Sequence, residues 1–368
     1  MPTETDGPDE TPVPDLIRDL FEGVAAEAPD RVRGAPGADG TIRGKNRLHE
    51  TELLAPYAAG IARAASLLAA GRLVAFPTET VYGLGADAGD GRAVRAIFAA
   101  KARPAHNPLI VHLASADAAA GLARMDDRAR ALARRFWPGP MTLVLPLAPG
   151  AALAREVTAG LATVAIRVPA HPAARALLTR TGRALAAPSA NPSGRMSPTR
   201  AAHVLDGLGG RIAAVVDGGP AEMGVESTII GLDSGPARLL RPGALTVEEI
   251  EAAMAAPLAG PEGGGVTAPG QLASHYAPTA RLRLNAAAPH PGEVWLGFGP
   301  GSAEAQLTLS ARGDTDEAAS RLFEVLRAAD ARAGPDGRIA VAPIPEAGLG
   351  RAINDRLRRA AAPRTDHR

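Results

Sequence analysis

The chain has 368 residues, 46% hydrophobic and 21% charged, enough for two separate cores and without an uncharged apolar run long enough to span a bilayer. Cysteine is absent, which excludes disulfides, thiol nucleophiles and cysteine-ligated zinc or iron–sulfur clusters. Forty basic and 39 acidic side chains leave a net charge of +1, too weak a global field to hold nucleic acid by charge alone, so any anion site must be local.

Residues 1–45 are rich in Pro, Asp, Glu and Gly and read as a disordered extension. Met1 to Glu10 is acidic and polar, unlike a secretory leader, so the expected location is the cytoplasm. From Leu53 the pattern changes. Ala58, Ile61, Ala64, Ala65 and Leu68 recur at helical spacing, Gly71 ends that helix, and Leu73 to Pro77 reads as a buried strand. Helices are predicted over 93–100, 126–136, 172–180, 199–208 and 247–254. Strands are predicted over 109–113, 141–147, 164–168, 184–187 and 213–217, and a pair over 227–232 and 237–240. Such alternation specifies an α/β domain. Residues 257–280, dominated by Pro, Gly and Ala, read as a linker with a turn at Pro269-Gly270. Beyond it, strands at 294–298 and 339–343 and helices at 315–330 and 350–361 make a second, smaller α/β unit.

Three polar segments follow strands or helices, where open α/β sheets place ligand loops. Pro77 to Gly85 carries two threonines, a glutamate and two glycines; a polar turn with glycine punctuation explains it equally well. Lys101 to Leu109 sets Lys101 and Arg103 at a helix end, where cations also complement the helix dipole. Pro104 and Pro108 stiffen that stretch and Asn107 adds an amide, a combination suited to phosphate oxygens. His112 follows in the strand and, taken alone, reads as a core histidine. Ala187 to Thr199 brings three serines, an asparagine and an arginine to a helix start, where free N–H groups favour an anion; a helix cap accounts for Ser197-Pro198 alone.

Smaller pieces complete the set. Thr163 and Arg167 lie four residues apart on one strand and so share a face. Glu226-Ser227-Thr228 opens a strand, and Arg241-Pro242-Gly243 follows one. There is no Gly-x-x-x-x-Gly-Lys-Ser/Thr loop, no Gly-x-Ser-x-Gly elbow and no paired-histidine zinc motif. Gly297 to Gly301 echoes a dinucleotide loop but lacks the helix that should follow at once, and reads as structural.

Together these segments resemble the Sua5/YrdC/YwlC family, which makes L-threonylcarbamoyladenylate for the N6-threonylcarbamoyladenosine modification of tRNA. The resemblance covers a YrdC-like catalytic domain over 52–256. The linker from Pro269 to Pro278 and the ending Gly348 to Leu357 resemble the longer two-domain Sua5 form, with a C-terminal domain over 281–362. It implies a twisted mixed sheet with helices and a smaller Rossmann-like second domain. It places Thr80, His112, Thr163, Arg167 and Ser227 around L-threonine, Arg167 holding the carboxylate. Lys101, Arg103, Asn107, Ser189, Asn191, Ser197 and Arg241 fall around ATP, with Lys101 and Arg103 in catalytic roles and Tyr276 of the linker as lid. One departure is Ala187, where some members carry Thr or Ser.

The implied partners are ATP with Mg²⁺, L-threonine, bicarbonate or CO₂, and a downstream threonylcarbamoyl transferase complex. No protein-bound metal or organic cofactor is implied, and no membrane. Two other readings compete. Lys101, Arg103, Arg195 and Arg241 also suit a double-stranded RNA-binding or ribosome-maturation module. The carbamoyl-transfer domain of hydrogenase maturation factors shares the YrdC-like unit, but those proteins carry cysteine zinc motifs.

Overall fold

A computed structural model describes residues 50–233, 235–260, 268–271 and 274–363. The extension over 1–45, expected to be disordered, lies outside the described residues, as do parts of the linker. Everything below concerns the compact unit Arg47–Arg368.

The chain opens with β1 (Glu52–Leu54), α1 (Ala58–Ala69), β2 (Val74–Phe76), β3 (Gly83–Asp87) and α2 (Gly91–Lys101). Next come β4 (Ile110–His112), α3 (Asp127–Phe136), β5 (Met141–Pro146), α4 (Arg155–Thr158) and β6 (Thr163–Arg167). They are followed by α5 (Pro172–Thr181), β7 (Leu185–Ala186), α6 (Ala201–Leu208), β8 (Ala214–Val216), β9 (Thr228–Gly231), β10 (Arg238–Arg241) and α7 (Val247–Met254). The ten strands form one mixed sheet in the order β1-β8-β2-β3-β7-β4-β6-β5-β9-β10. Local chemistry sets the helix starts: Asp90 caps α2, Asp126 caps α3, Pro172 opens α5, and Thr246 with Glu249 forms a capping box on α7.

The second sheet comprises β11 (Arg281–Arg283), β12 (Glu293–Gly297), β13 (Leu307–Thr308) and β14 (Arg338–Val341), in the order β11-β14-β12-β13. All its pairings are parallel, and α8 (Thr315–Ala333) and α9 (Gly350–Ala361) pack on it. This is the large mixed sheet with a smaller parallel α/β unit that the sequence specifies. No helix among the described residues is long and apolar enough to cross a membrane.

Two local readings are corrected, and two short strands have no sequence reading. Gly83 to Asp87 is a buried strand antiparallel to β2, not part of a loop. Its glycines hid it, yet a Cβ on Gly85 would sit 2.8 Å from the Phe76 ring, so glycine is what lets the two strands approach. The helix expected from Thr199 begins at Ala201, and the Thr199 N–H donates to His203 Nδ1 at 3.3 Å, so that amide is not free for an anion. β11 and β13, of three and two residues, are too short to show periodicity.

The cores explain how the two sheets meet. One apolar cluster joins Val81 and Met196, from two of the polar segments, with Val225 and Tyr276 and with Leu322, Phe323 and Leu357 of the C-terminal helices. The loops at that end of the large sheet are therefore anchored on the second unit.

Candidate active site

The β2–β3 loop is folded by its own hydroxyls. Thr78 Oγ1 lies 2.8 Å from Thr80 Oγ1 and donates to the Val81 carbonyl at 2.6 Å. Glu79 is held in a buried ion pair, its carboxylate 2.7 Å from Arg167 Nη2. It also accepts from the Ala170 and His171 amides at 3.0 and 3.3 Å. Burial alone would push the Glu79 carboxyl up, but Arg167 outweighs it and holds it below its ordinary value. Arg167, 4% exposed at the end of β6, donates to Thr80 Oγ1 at 2.8 Å. His112, opposite Arg167 in the β4–β6 pairing, is held neutral: burial, then Arg167, drives its pKa to about 3.

The second segment starts where α2 ends at Lys101 with Ala102 in the left-handed region. Lys101 is 1% exposed, and its Nζ donates to the carbonyls of Ser189 and Asn191, stitching this segment to the third. With carbonyls but no carboxylate as hydrogen-bond partners, it has a pKa well below the ordinary lysine value through burial and then Arg103. It is no surface complement to the helix dipole. Arg103 turns back on its own loop, donating to the carbonyls of Asn107 and Pro108 at 3.2 and 2.8 Å, and burial drags its pKa to about 10.

Across the cavity, Ser227 Oγ lies 2.7 Å from Thr142 Oγ1 and receives Arg241 Nη2 at 3.1 Å. Ser197 donates to Glu226, whose other oxygen receives Arg356 Nε at 2.7 Å. Tyr276 is buried with φ 62°, its ring 4.0 Å from the His275 ring. Gly270, φ 86°, passes so close that a Cβ there would lie 2.9 Å from Arg241 and 3.1 Å from the Tyr276 hydroxyl, which is why glycine is needed.

These groups line a narrow, partly open hollow of about 40 Å³. Thr80, His112, Arg167 and Ser227 of the threonine set line it, as do Arg103, Ser189, Arg241 and Tyr276 of the nucleotide set. Lys101, Asn191 and Ser197 stand behind this lining and brace it, while Asn107 is fully buried beneath the Arg103 loop. Thr163 is not brought in. It starts β6 opposite Pro146, roughly 13 Å along the strand from Arg167, so sharing a face does not amount to sharing a site. The Ala187 N–H is used by the Ile110 carbonyl at 2.9 Å and offers a ligand nothing.

Sequence reasoning gave no site role to Glu79, Glu226, His275 or Arg356, although each lies in a segment it singled out. Glu226 and His275 line the hollow, and Glu79 and Arg356 hold residues that do. Among the described residues no three His, Asp or Glu side chains gather to hold a metal ion.

Comparison with known proteins agrees with this geometry. Residues 66–243 match the Sua5/YciO/YrdC family model, described as "Telomere recombination", and residues 245–362 match the C-terminal domain model of threonylcarbamoyl-AMP synthase. The threonylcarbamoyl-AMP synthase of Pyrococcus abyssi is 44% identical over 319 residues, 81% of this chain and 93% of that protein. The Bacillus subtilis enzyme of the same name is 42% identical over 327 residues, 83% and 93% of the two chains. The crystal structure of P. abyssi Sua5 complexed with L-threonine superimposes with a TM-score of 0.76 at 41% identity, covering 84% of this chain and 97% of that one. A variant of the P. abyssi protein with an adjacent histidine and tyrosine replaced by alanine matches equally well, at a TM-score of 0.76 and 40% identity, over 84% and 96% of the two chains. On both domain models and on relatives matched over nearly their full length, the chain belongs to the Sua5/YrdC family in its two-domain, threonylcarbamoyl-AMP synthase form.

Proposed function

We propose that the hollow seats L-threonine against Arg167, Thr80, His112 and Ser227, with ATP alongside on the Arg103, Ser189, Arg241 and Tyr276 wall. The chain then makes threonylcarbamoyl-AMP for tRNA modification. One observation carries this reading: separate stretches of polypeptide converge on one cationic, hydroxyl-lined cavity without a nucleophilic cysteine or a metal-ligating cluster among the described residues.

The chemistry matches such a wall. The threonine amine adds to CO₂ with loss of a proton, or to bicarbonate with loss of water, to give a carbamate; a carbamate oxygen bonds to the α-phosphorus as the bond to the bridging oxygen breaks, and pyrophosphate leaves with that electron pair. No enzyme nucleophile takes part, so the protein's contribution is alignment and charge stabilisation. Arg167 binds the amino-acid carboxylate while Glu79 fixes its guanidinium. Neutral His112 packs against threonine without adding a cation beside Arg167. Arg103 and Arg241 meet the phosphates, and Lys101 gives up neutral carbonyl partners for anionic oxygens, a stronger bond. Mg²⁺ would come with the triphosphate and neutralise its charge; the cavity's own carboxylate, Glu226, is engaged by Arg356 and Ser197. Closing Tyr276 over the nucleotide keeps water from the labile carbamate.

The test is pyrophosphate release from ATP with threonine and bicarbonate each omitted in turn, and mass detection of the adenylate. Release that needs both substrates supports the reading; equal release without threonine refutes it.

A further inference from the structure

The apolar stripe of α9 contains one charge. Ala352, Ile353, Leu357 and Ala360 are buried at helical spacing, and Arg356, 1% exposed, sits among them. Its Nε donates to Glu226 at 2.7 Å, and its Nη1 to the Pro242 carbonyl and to Asp355 at 2.7 and 2.8 Å. Its guanidinium carbon lies 5.3 Å from the centre of the Tyr276 ring, within cation–π range. Nη2 has no hydrogen-bond partner in the protein. Buried ion pairs of this kind are poor sources of stability, because apolar replacements of similar volume serve as well or better. The placement is therefore better accounted for by what Arg356 touches: two residues of the cavity wall, Glu226, 130 residues away in the chain, and Tyr276 of the linker.

We propose that Arg356 is a positioning residue of the active site, holding Glu226 as a carboxylate that fixes Ser197, and holding the Tyr276 ring over the nucleotide wall. The C-terminal unit thereby supplies part of the machinery instead of only flanking it. The proposal rests on the synthase reading for what the cavity binds. It does not need that reading for the geometry of the wall.

Arg356 from α9 and Arg241 from β10 face Glu226, with His275 and Tyr276 of the linker also within its field. Asp355 of α9 faces Tyr276, and Lys101 and Arg103, from the end of α2 and the loop after it, face His275. Burial pushes the Glu226 carboxyl up, but Arg356, then Arg241 and the Ser197 hydroxyl, outweigh it and hold it at about 2. With Arg356 gone, the largest opposing influence is lost and the buried carboxyl rises toward the working pH range.

The experiment compares the full chain with R356Q, R356K, E226Q and the R356Q/E226Q double variant from pH 5 to 9. It reads threonine-dependent pyrophosphate release and calorimetric binding of a non-hydrolysable ATP analogue and of threonine. For R356Q the expected result is nucleotide affinity at least about tenfold weaker, threonine affinity within about twofold, and a new acid limb below about pH 7 that the unchanged chain lacks. The limb is absent from the double variant, because no carboxyl remains to titrate, and R356K regains part of the affinity. Should R356Q melt below the assay temperature, R356K bears the same test through its nucleotide-selective loss. A flat pH profile with equal losses for both ligands means a structural role only and overturns the proposal. So does a limb that persists in the double variant. If the unchanged chain gives no threonine-dependent release, the synthase reading fails, and the analogue-binding arm still decides the role of Arg356.

Discussion

Removing Arg167 perturbs two things that can be separated. Arg167→Ala deletes the proposed carboxylate partner and also strands Glu79, whose ion pair at 2.7 Å is almost fully buried, the two side chains being 4% and 7% exposed. Breaking a buried pair from one side costs about 3–5 kcal/mol, for a melting-temperature drop on the order of 10 °C. Losing one charge-assisted bond to threonine costs about 1.5–3 kcal/mol, or roughly 10- to 150-fold in affinity. Glu79→Gln on top of Arg167→Ala removes the stranded charge while an amide oxygen still accepts from Ala170, so about half of the lost stability returns. Threonine affinity does not return, since the guanidinium is still missing. The assay is a thermal-melt double-mutant cycle run beside threonine and ATP-analogue calorimetry. If the double variant recovers threonine binding along with stability, or if Arg167→Ala weakens both ligands equally, Arg167 does not hold the carboxylate.

Tyr276→Phe removes a buried hydroxyl that has no partner in the protein, so the free enzyme gains about 1 kcal/mol in denaturant titration while nucleotide affinity falls; unchanged affinity would mean the hydroxyl does not meet the ligand. Lys101, with its pKa well below ordinary, takes up a proton when phosphate oxygens replace its carbonyl partners. Calorimetry of ATP-analogue binding at pH 8.5 in two buffers of different ionisation enthalpy should register that uptake, and Lys101→Met should abolish it; buffer-independent heats would refute it. His112 and His275 are both held at about 3, burial being the largest cause, against an ordinary value of 6.5. Their contribution to stability is complete above pH 6.5 and is lost as pH falls toward 3, at up to about 2.7 kcal/mol per pH unit for the pair. Urea midpoints measured from pH 7 down to pH 4.5 should fall on that slope, and a flat line would show that these rings are solvated.

The sequence reveals the loops of the site more readily than their interior. Segments rich in Pro, Gly, Ser and Asn after apolar runs announce where the backbone leaves the sheet, and Thr80, Arg103, Ser189, Arg241 and Tyr276 sit in such segments and reach the hollow. Thr163 shows the limit: its separation from Arg167 is even, but the cavity lies at one end of the strand only. The partners of the buried charges are less legible still. Glu79 and Arg167 are 88 residues apart and Glu226 and Arg356 are 130 apart, so only the strand order and the packing of α9 decide that they meet. Within the fold, β3 was hidden for a different reason. Its glycines serve the close approach to Phe76, and a propensity reading takes them for a turn.

The two halves of the cavity also differ in how far the protein satisfies itself. On the threonine side the polar groups hold one another: Arg167 with Thr80 and Glu79, Ser227 with Thr142 and Arg241. On the nucleotide side Lys101, Arg103, Ser197 and Arg241 are engaged, but other groups are not. Nine buried side-chain nitrogen or oxygen atoms among the described residues lack a protein partner, and four belong to residues assigned to ATP: both amide atoms of Asn107, the amide oxygen of Asn191 and the hydroxyl of Tyr276. None belongs to the threonine set. Unpaired buried polar atoms cost about 1–3 kcal/mol each and a fold keeps few of them; of these four, the Tyr276 hydroxyl is the one on a residue that lines the hollow. A nucleotide reaching the Tyr276 hydroxyl would satisfy a group the fold leaves unpaired, whereas threonine would have to exchange bonds already made. That hydroxyl sits on the wall that Arg356 and the linker brace from the second unit.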